Sequence, residues 1–146
     1  MNAVSNESSQ EYSFSLRKIQ IIEKQLVFRS QKEEKLEFDF DISLNIKTDS
    51  EKKQSFHFMN VVISDKDDKK KIGALSIVCI FDIDNLESLI INEPDETGLP
   101  RNLVYLLNTV VIGTIRGVMY SEFRGTILDD ALLPVLDPRA FQKREK

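Results

Sequence analysis

The chain has 146 residues, of which 30% are charged and 41% hydrophobic, and its formal net charge is −4. This composition is typical of a single globular domain, and the acidic balance argues against a nucleic-acid-binding protein, whose surface would be basic. One cysteine, Cys79, and one histidine, His57, exclude an intramolecular disulfide framework and a metal site built from several such side chains.

The first ten residues are rich in Asn, Ser and Glu, and we expect them to be flexible, with a single domain over residues 11–146. Residues 1–13 contain neither a basic region nor an apolar region of the kind found in signal peptides. We therefore expect a cytoplasmic protein.

The segment Glu11 to Arg29 predicts a first strand whose apolar–polar alternation is irregular. Apolar residues alternate with polar ones up to Leu16, and the alternation then slips by one residue at Arg17-Lys18. A one-residue slip predicts a bulge, because a regular strand would otherwise turn its apolar side chains to the other face of the sheet.

Three further strands are predicted, at Leu36 to Lys47, Phe56 to Ser64 and Ile72 to Ile83. The first of these alternates strictly, which indicates an antiparallel strand with one face in water. The linkers are short and charged, as in the run Asp65 to Lys71, so an antiparallel meander is favoured over crossover connections.

A longer connection, Asp84 to Pro100, leads to a predicted helix from Pro100 to Glu122. This helix is apolar nearly all round, so it must be covered on more than one side, and a partner subunit is the simplest cover. A membrane span is disfavoured, because Arg116 and Asn108 would lie in lipid. Asp137-Pro138 predicts the start of a short second helix, from Arg139 to Lys146.

The candidate chemical groups all have plainer interpretations. Cys79 lies in an apolar strand and is expected to be a buried, inert thiol. His57 has no accompanying nucleophile motif, so a surface or edge histidine is favoured over a catalytic base. We expect no enzyme activity, no metal and no cofactor.

Apolar residues in the long connection, and the helix itself, are the remaining functional signal. Their side chains either bind a partner or pack the connection against the sheet. The residues of the connection are Leu86, Leu89, Ile90 and Ile91.

The chain resembles the SecB export-chaperone family over about residues 12 to 141. The matching segments occur in the family's order and spacing: Phe14 to Ile19, Ile80 to Ile83, Asn108, Arg124-Gly125-Thr126 and Leu133-Pro134-Val135.

This resemblance implies an α+β fold, with a four-stranded antiparallel sheet and one long and one short C-terminal helix packed on one face. It also implies a homotetramer in which the long helices are sandwiched between sheets, and ATP-independent holding of unfolded polypeptides for delivery to the secretion motor ATPase. Glu23 falls at an acidic position where the motor docks in that family, whereas the acidic position of the fourth strand falls within Gly73 to Ile77, where no acid occurs.

We therefore expect a holdase for unfolded or nascent chains, with no nucleic-acid partner and no membrane insertion. The alternatives are a dedicated chaperone of one client, such as an antitoxin, and a structural protein that only oligomerises. The residues expected to contact clients are Leu26, Phe28, Leu86, Leu89, Ile90 and Ile91, and those expected at the oligomer interface are Leu106, Val110, Gly113 and Gly117.

Overall fold

The computed structural model describes residues 12–27, 36–92 and 98–141, except for the side chains of residues 90–92. The predicted N-terminal segment 1–10 and Phe28 lie outside the described residues. The elements are β1 (Phe14–Leu26), β2 (Phe38–Asp49), β3 (Gln54–Asp65), β4 (Lys71–Ile83), α1 (Leu86–Asn92), α2 (Arg101–Glu122) and a 3-10 helix (Pro138–Phe141). The predicted α+β fold is confirmed.

All four strands form one antiparallel sheet in the order β1-β4-β3-β2. The strands β2, β3 and β4 form the predicted meander with short turns, whereas β1 pairs with β4, the last strand in the chain. Phe14 therefore lies opposite Ile83, and Leu26 lies opposite Gly73. The two edges of the sheet are β1 and β2.

Strand β1 contains the predicted irregularity. Its register against β4 shifts between Leu16 and Lys18, which confirms the slip expected at Arg17. A second shift, between Ile21 and Glu23, was not predicted. The two shifts together keep Leu16, Ile19, Ile21 and Leu26 on one face of the sheet.

The hydrophobic core lies between the sheet and α2. Alternate residues of β3 point into it, and β4 is buried on the same face and over part of the other face. The core residues contributed by α2 are mostly spaced three or four apart, the spacing of one helix face; they are Leu103, Val104, Leu107, Val111, Ile112, Ile115 and Met119.

Helix α2 is long and apolar enough to cross a membrane. Here, however, it packs on β3 and β4, and its buried side includes the polar Asn108. Arg116, in the middle of the helix, donates hydrogen bonds to the backbone oxygens of Leu133 (3.3 Å) and Pro134 (3.0 Å). The residues after α2 therefore run back along it.

Two details of the sequence prediction need correction. The connection after β4 is not a plain loop, because Leu86–Asn92 forms the short helix α1. The short C-terminal helix is a 3-10 helix at Pro138–Phe141, where the Asp137 carboxylate accepts a hydrogen bond from the Arg139 backbone N–H. The rest of that predicted helix, residues 142–146, lies outside the described residues.

Candidate functional site

An exposed row of apolar side chains runs along β1, on the side of the sheet that faces α2. The row lies opposite Phe81, Cys79, Ile77 and Gly73 of β4, and Cys79 lies close enough to Thr114 of α2 to interact with it. Helix α2 packs mainly on β3 and β4, and the apolar row of β1 stays exposed. The row residues and their exposed fractions are Leu16 (37%), Ile19 (45%), Ile21 (40%) and Leu26 (44%).

The other face of β1 includes Lys18, Gln20 and Glu23, and Ile22, at the second bulge, is exposed as well (53%). Arg17, at the first bulge, turns to the same face, because its guanidinium lies 3.0 Å from the carboxylate of Asp82. On the helix-facing side, Lys24 forms an ion pair of 3.2 Å with Glu122 at the end of α2. The apolar row is therefore interrupted by only one charge, and that charge is paired.

A second exposed surface lies on α2 and on the segment that follows it. Leu106 and Tyr120 are exposed, Val110 is half-buried, and a Cβ added at Gly113 or Gly117 would meet no atom within 4 Å. Beyond the helix, Leu132 and Val135 are also exposed. All four residues predicted at the oligomer interface therefore reach or border open surface.

The residues that were predicted to contact clients differ in their exposure in the structure. Leu26 is exposed at the end of β1, as a binding residue must be. Leu86 and Leu89 are buried in the core, so the prediction that they present a binding surface is wrong: they pin α1 against the sheet. Ile90 and Ile91 lie in α1, and their side chains are outside the described residues.

His57 is not the surface or edge histidine that the sequence suggested. It is fully buried in β3, where its ring packs edge-on against Phe81 at a centroid distance of 5.1 Å. Its Nε2 lies 2.6 Å from the Ser55 Oγ, and Asn108 of α2 interacts with the ring. Burial lowers the pKa of His57 from 6.5 to about 4, and the polar side chain of Asn108 opposes this only in part.

Ser55, His57 and Asn108 have the residue types of a hydrolytic triad, but all three are 0% exposed. A serine nucleophile must reach its substrate, so this arrangement does not form an open catalytic site. Cys79, opposite His57, is also buried, as predicted, and burial raises the pKa of its thiol to about 11. In the part of the chain that the structure describes, no three His, Cys, Asp or Glu residues are grouped to hold a metal.

Comparison with known proteins relates the fold to one class of chaperone. Neither a protein-family model nor a characterised protein sequence matches the chain. Among solved structures, a SecB-like chaperone of Mycobacterium tuberculosis in complex with a ChAD peptide from the HigA1 antitoxin superposes with a TM-score of 0.63. The alignment covers 84% of this chain and 89% of that one, at 15% sequence identity. The chain has a SecB-like fold.

A protein of unknown function from Streptococcus agalactiae is also similar, with a TM-score of 0.44 and 13% identity over 86% of this chain and all of that one. This weaker similarity adds nothing to the SecB-like assignment of the fold. That assignment agrees with the resemblance stated from the sequence.

The exposure of the β1 row could not be read from the sequence. Alternation showed which residues share a face, but it could not show that the helix would cover β3 and β4 instead of β1. One signal was available: the sequence predicts more apolar faces than a single helix can cover.

Proposed function

We propose that the protein is an ATP-independent holdase that binds unfolded or nascent polypeptides through exposed apolar surface. The observation that carries this proposal is the exposed row Leu16, Ile19, Ile21 and Leu26 on β1 of a SecB-like fold. A monomeric soluble protein rarely leaves such a contiguous apolar row open, so the row indicates a binding surface.

The chemistry of the row suits clients of varied sequence. Burial of apolar area is non-directional, and it therefore tolerates many different side chains in an unfolded chain. Holding a client in this way needs no nucleophile, metal or cofactor. We accordingly assign the protein a non-enzymatic role, as a cytoplasmic homo-oligomer, with a tetramer as the expected assembly.

A chaperone of one dedicated client is the second candidate. It is favoured by the M. tuberculosis neighbour, which was solved with a peptide of an antitoxin. Delivery to the secretion motor ATPase has less support, because Gly73 to Ile77 contains no acidic residue and only Glu23 remains of the expected docking positions. Phe28, Ile90 and Ile91 remain predicted client contacts.

Client binding can be tested by suppression of aggregation of an unfolded model protein. Val27, the residue after β1, is exposed like its neighbour Leu26. We expect the wild-type chain to suppress aggregation, and the double variant Leu26→Ala/Val27→Ala to bind the unfolded protein about tenfold more weakly, because it removes exposed apolar area. The matched control is Leu132→Ala/Val135→Ala, which changes more exposed residues away from β1.

The proposal fails if the wild-type chain assembles but suppresses no aggregation, a result that would support a purely structural protein. It also fails if both double variants bind the client as well as the wild-type chain does. Suppression limited to one co-expressed client, with none for a model protein, would support the dedicated chaperone.

A further inference from the structure

The face of the sheet that turns away from α2 has an apolar centre. On β3, the residues that alternate with the core positions are half-buried, and two of them are phenylalanines, Phe56 and Phe58. Their partners on β4 are Ile80 and Val78. A sheet face in contact with water is normally polar. These four residues, which lie side by side on the two central strands, are called the outer patch.

Two lysines border the outer patch from the two edge strands. Lys18 of β1 pairs with Ile80, and Lys47 of β2 pairs with Phe56. Because Ile80 and Phe56 also pair with each other, the four residues form one line across the sheet. The Cα atoms of the two lysines are therefore about 14 Å apart, which is three strand spacings. Both lysines are exposed, and among the described residues neither forms an ion pair.

The acidic groups of the same face are either engaged or further away. The Asp82 carboxylate accepts two hydrogen bonds, one of them from Arg17 at 3.0 Å, and Asp49 accepts one from the backbone of the following turn. Glu23 and Asp41 lie towards the other end of the face, about 13–20 Å further along the strands than the lysines. The two lysines are therefore the unpaired charges that border the outer patch directly.

We propose that the outer patch binds a short segment of another protein in which acidic residues stand on both sides of an aromatic or large apolar residue. The phenylalanines and Ile80 supply the apolar contact, and Lys18 and Lys47 pair with the flanking carboxylates. A span of about 14 Å corresponds to about four residues of extended chain, so the acidic residues that fit lie about four positions apart. Charge complementarity of this kind gives a contact its specificity.

The charges of this face favour an acidic peptide over a nucleic acid. Aromatic side chains on a sheet that are flanked by lysines can also bind single-stranded nucleic acid. However, a nucleic acid carries a negative charge at every phosphate, and it would be repelled by Glu23, Asp41 and Asp49 on the same face. A peptide with only two acidic residues meets the two lysines without this repulsion.

The outer patch is separate from the β1 row, which lies on the opposite face of the sheet. A bound partner and a held client therefore do not compete for the same side chains, and the inference does not rest on the holdase proposal. The chemistry also differs from the acidic docking surface that the family resemblance implies around Glu23. A surface bordered by lysines selects a partner of the opposite charge.

Titration with a synthetic peptide tests the proposal. The probe is the acetylated and amidated heptapeptide Gly-Asp-Ala-Phe-Ala-Asp-Gly, whose aspartates are four positions apart. We expect it to bind at low salt, and we expect Lys18→Ala/Lys47→Ala to raise the dissociation constant about tenfold, because both flanking charges are lost. The matched control is Lys52→Ala/Lys70→Ala, which removes two exposed lysines from the turns and should leave the affinity unchanged.

The position of the bound peptide is measured from the isoleucine methyl resonances of the labelled wild-type protein. We expect the peptide to shift the methyl resonances of Ile80 and to leave those of Ile19 and Ile21, in the β1 row, unchanged. This measurement needs no substitution, so it does not depend on the stability of a variant.

The proposal is overturned if the peptide causes no shift at millimolar concentration, if Ile19 and Ile21 respond instead of Ile80, or if the two double variants bind equally. It is also overturned if a peptide with lysines in place of the aspartates binds as tightly, or if a short oligouridine binds more tightly than the peptide at the same salt concentration. The Lys18→Ala/Lys47→Ala variant should still suppress aggregation like the wild-type chain. Failure of the holdase proposal and failure of this one are therefore distinguishable.

Discussion

The Oγ of Ser55 lies 2.6 Å from the Nε2 of His57, and both residues are sealed between the sheet and α2. The titratable and polar groups in or next to this cluster are Cys79 from β4 and Asn108 from α2. Burial outweighs the opposing effect of the polar Asn108 side chain and lowers the pKa of His57 to about 4. The folded protein therefore favours the neutral form of the His57 imidazole.

Acidification should therefore destabilise the fold through His57. The unfolded chain binds a proton near pH 6.5, whereas the folded chain resists protonation down to about pH 4. Stability is fully present above pH 6.5 and falls between pH 6.5 and about 4, by at most about 3 kcal/mol. Urea unfolding of the wild-type chain and of His57→Phe across this pH range measures the change in the free energy of unfolding. The variant should show the smaller slope with pH, and equal slopes would contradict the prediction.

Two glycines should respond oppositely to alanine. A Cβ at Gly73 would collide with the Leu128 side chain and lie 2.9 Å from the backbone oxygen of Gln25, so Gly73→Ala should cost about 1–3 kcal/mol. At Gly117 a Cβ meets nothing, and alanine should stabilise α2 by about 0.5–1 kcal/mol. Denaturant midpoints of the two variants test this contrast, and a stabilised Gly73→Ala would refute the packing described at β4.

Arg116 should stabilise the packing of the segment that follows α2 against this helix. Its two hydrogen bonds to the backbone oxygens of Leu133 and Pro134 are lost in Arg116→Met, which keeps much of the side-chain length. We expect the free energy of unfolding to fall by about 1–3 kcal/mol and hydrogen exchange to accelerate around residues 131–136. Arg124→Met is the control, since Arg124 stacks over Tyr120 at 5.8 Å, away from this segment. Similar exchange in both variants would argue against this role.

The exposed stripe of α2 is expected to mediate a larger assembly. Bulky side chains at the open positions, in Gly113→Leu/Gly117→Leu, should prevent close approach of another helix and reduce a tetramer to a dimer in light scattering. Gly117→Ala is the milder comparison. If the double leucine variant kept the mass of the wild-type assembly, the predicted interface at Leu106, Val110, Gly113 and Gly117 would be wrong.

The sequence allowed the strands, the long helix and the first bulge of β1 to be predicted, because each depends on local periodicity. It failed for His57, because β3 is apolar on both faces in the sequence, and only the position of α2 shows that the face with His57 is the buried one. It also failed for Leu86 and Leu89. A helix of seven residues has too few turns to show a period, and the packing of these residues depends on contacts with distant parts of the chain.

The candidate site was predictable only in part. Leu26 was identified from its apolar character, but Leu16, Ile19 and Ile21 were assigned to an ordinary strand. What distinguishes them is the position of α2 over the neighbouring strands, which is a property of tertiary packing. Exposure of an edge strand cannot be derived from the residues of that strand alone.

The strand order has a consequence for the synthesis of the chain. β2, β3 and β4 follow one another and can pair as each emerges from the ribosome, whereas β1 appears first and, within the described residues, pairs with β4. Bringing β1 to β4 closes a long loop, which costs conformational entropy before any contact forms. We therefore expect β1 to join the sheet last. Until then the nascent chain carries an apolar segment of the kind that holdases bind, and for that interval it resembles its own clients.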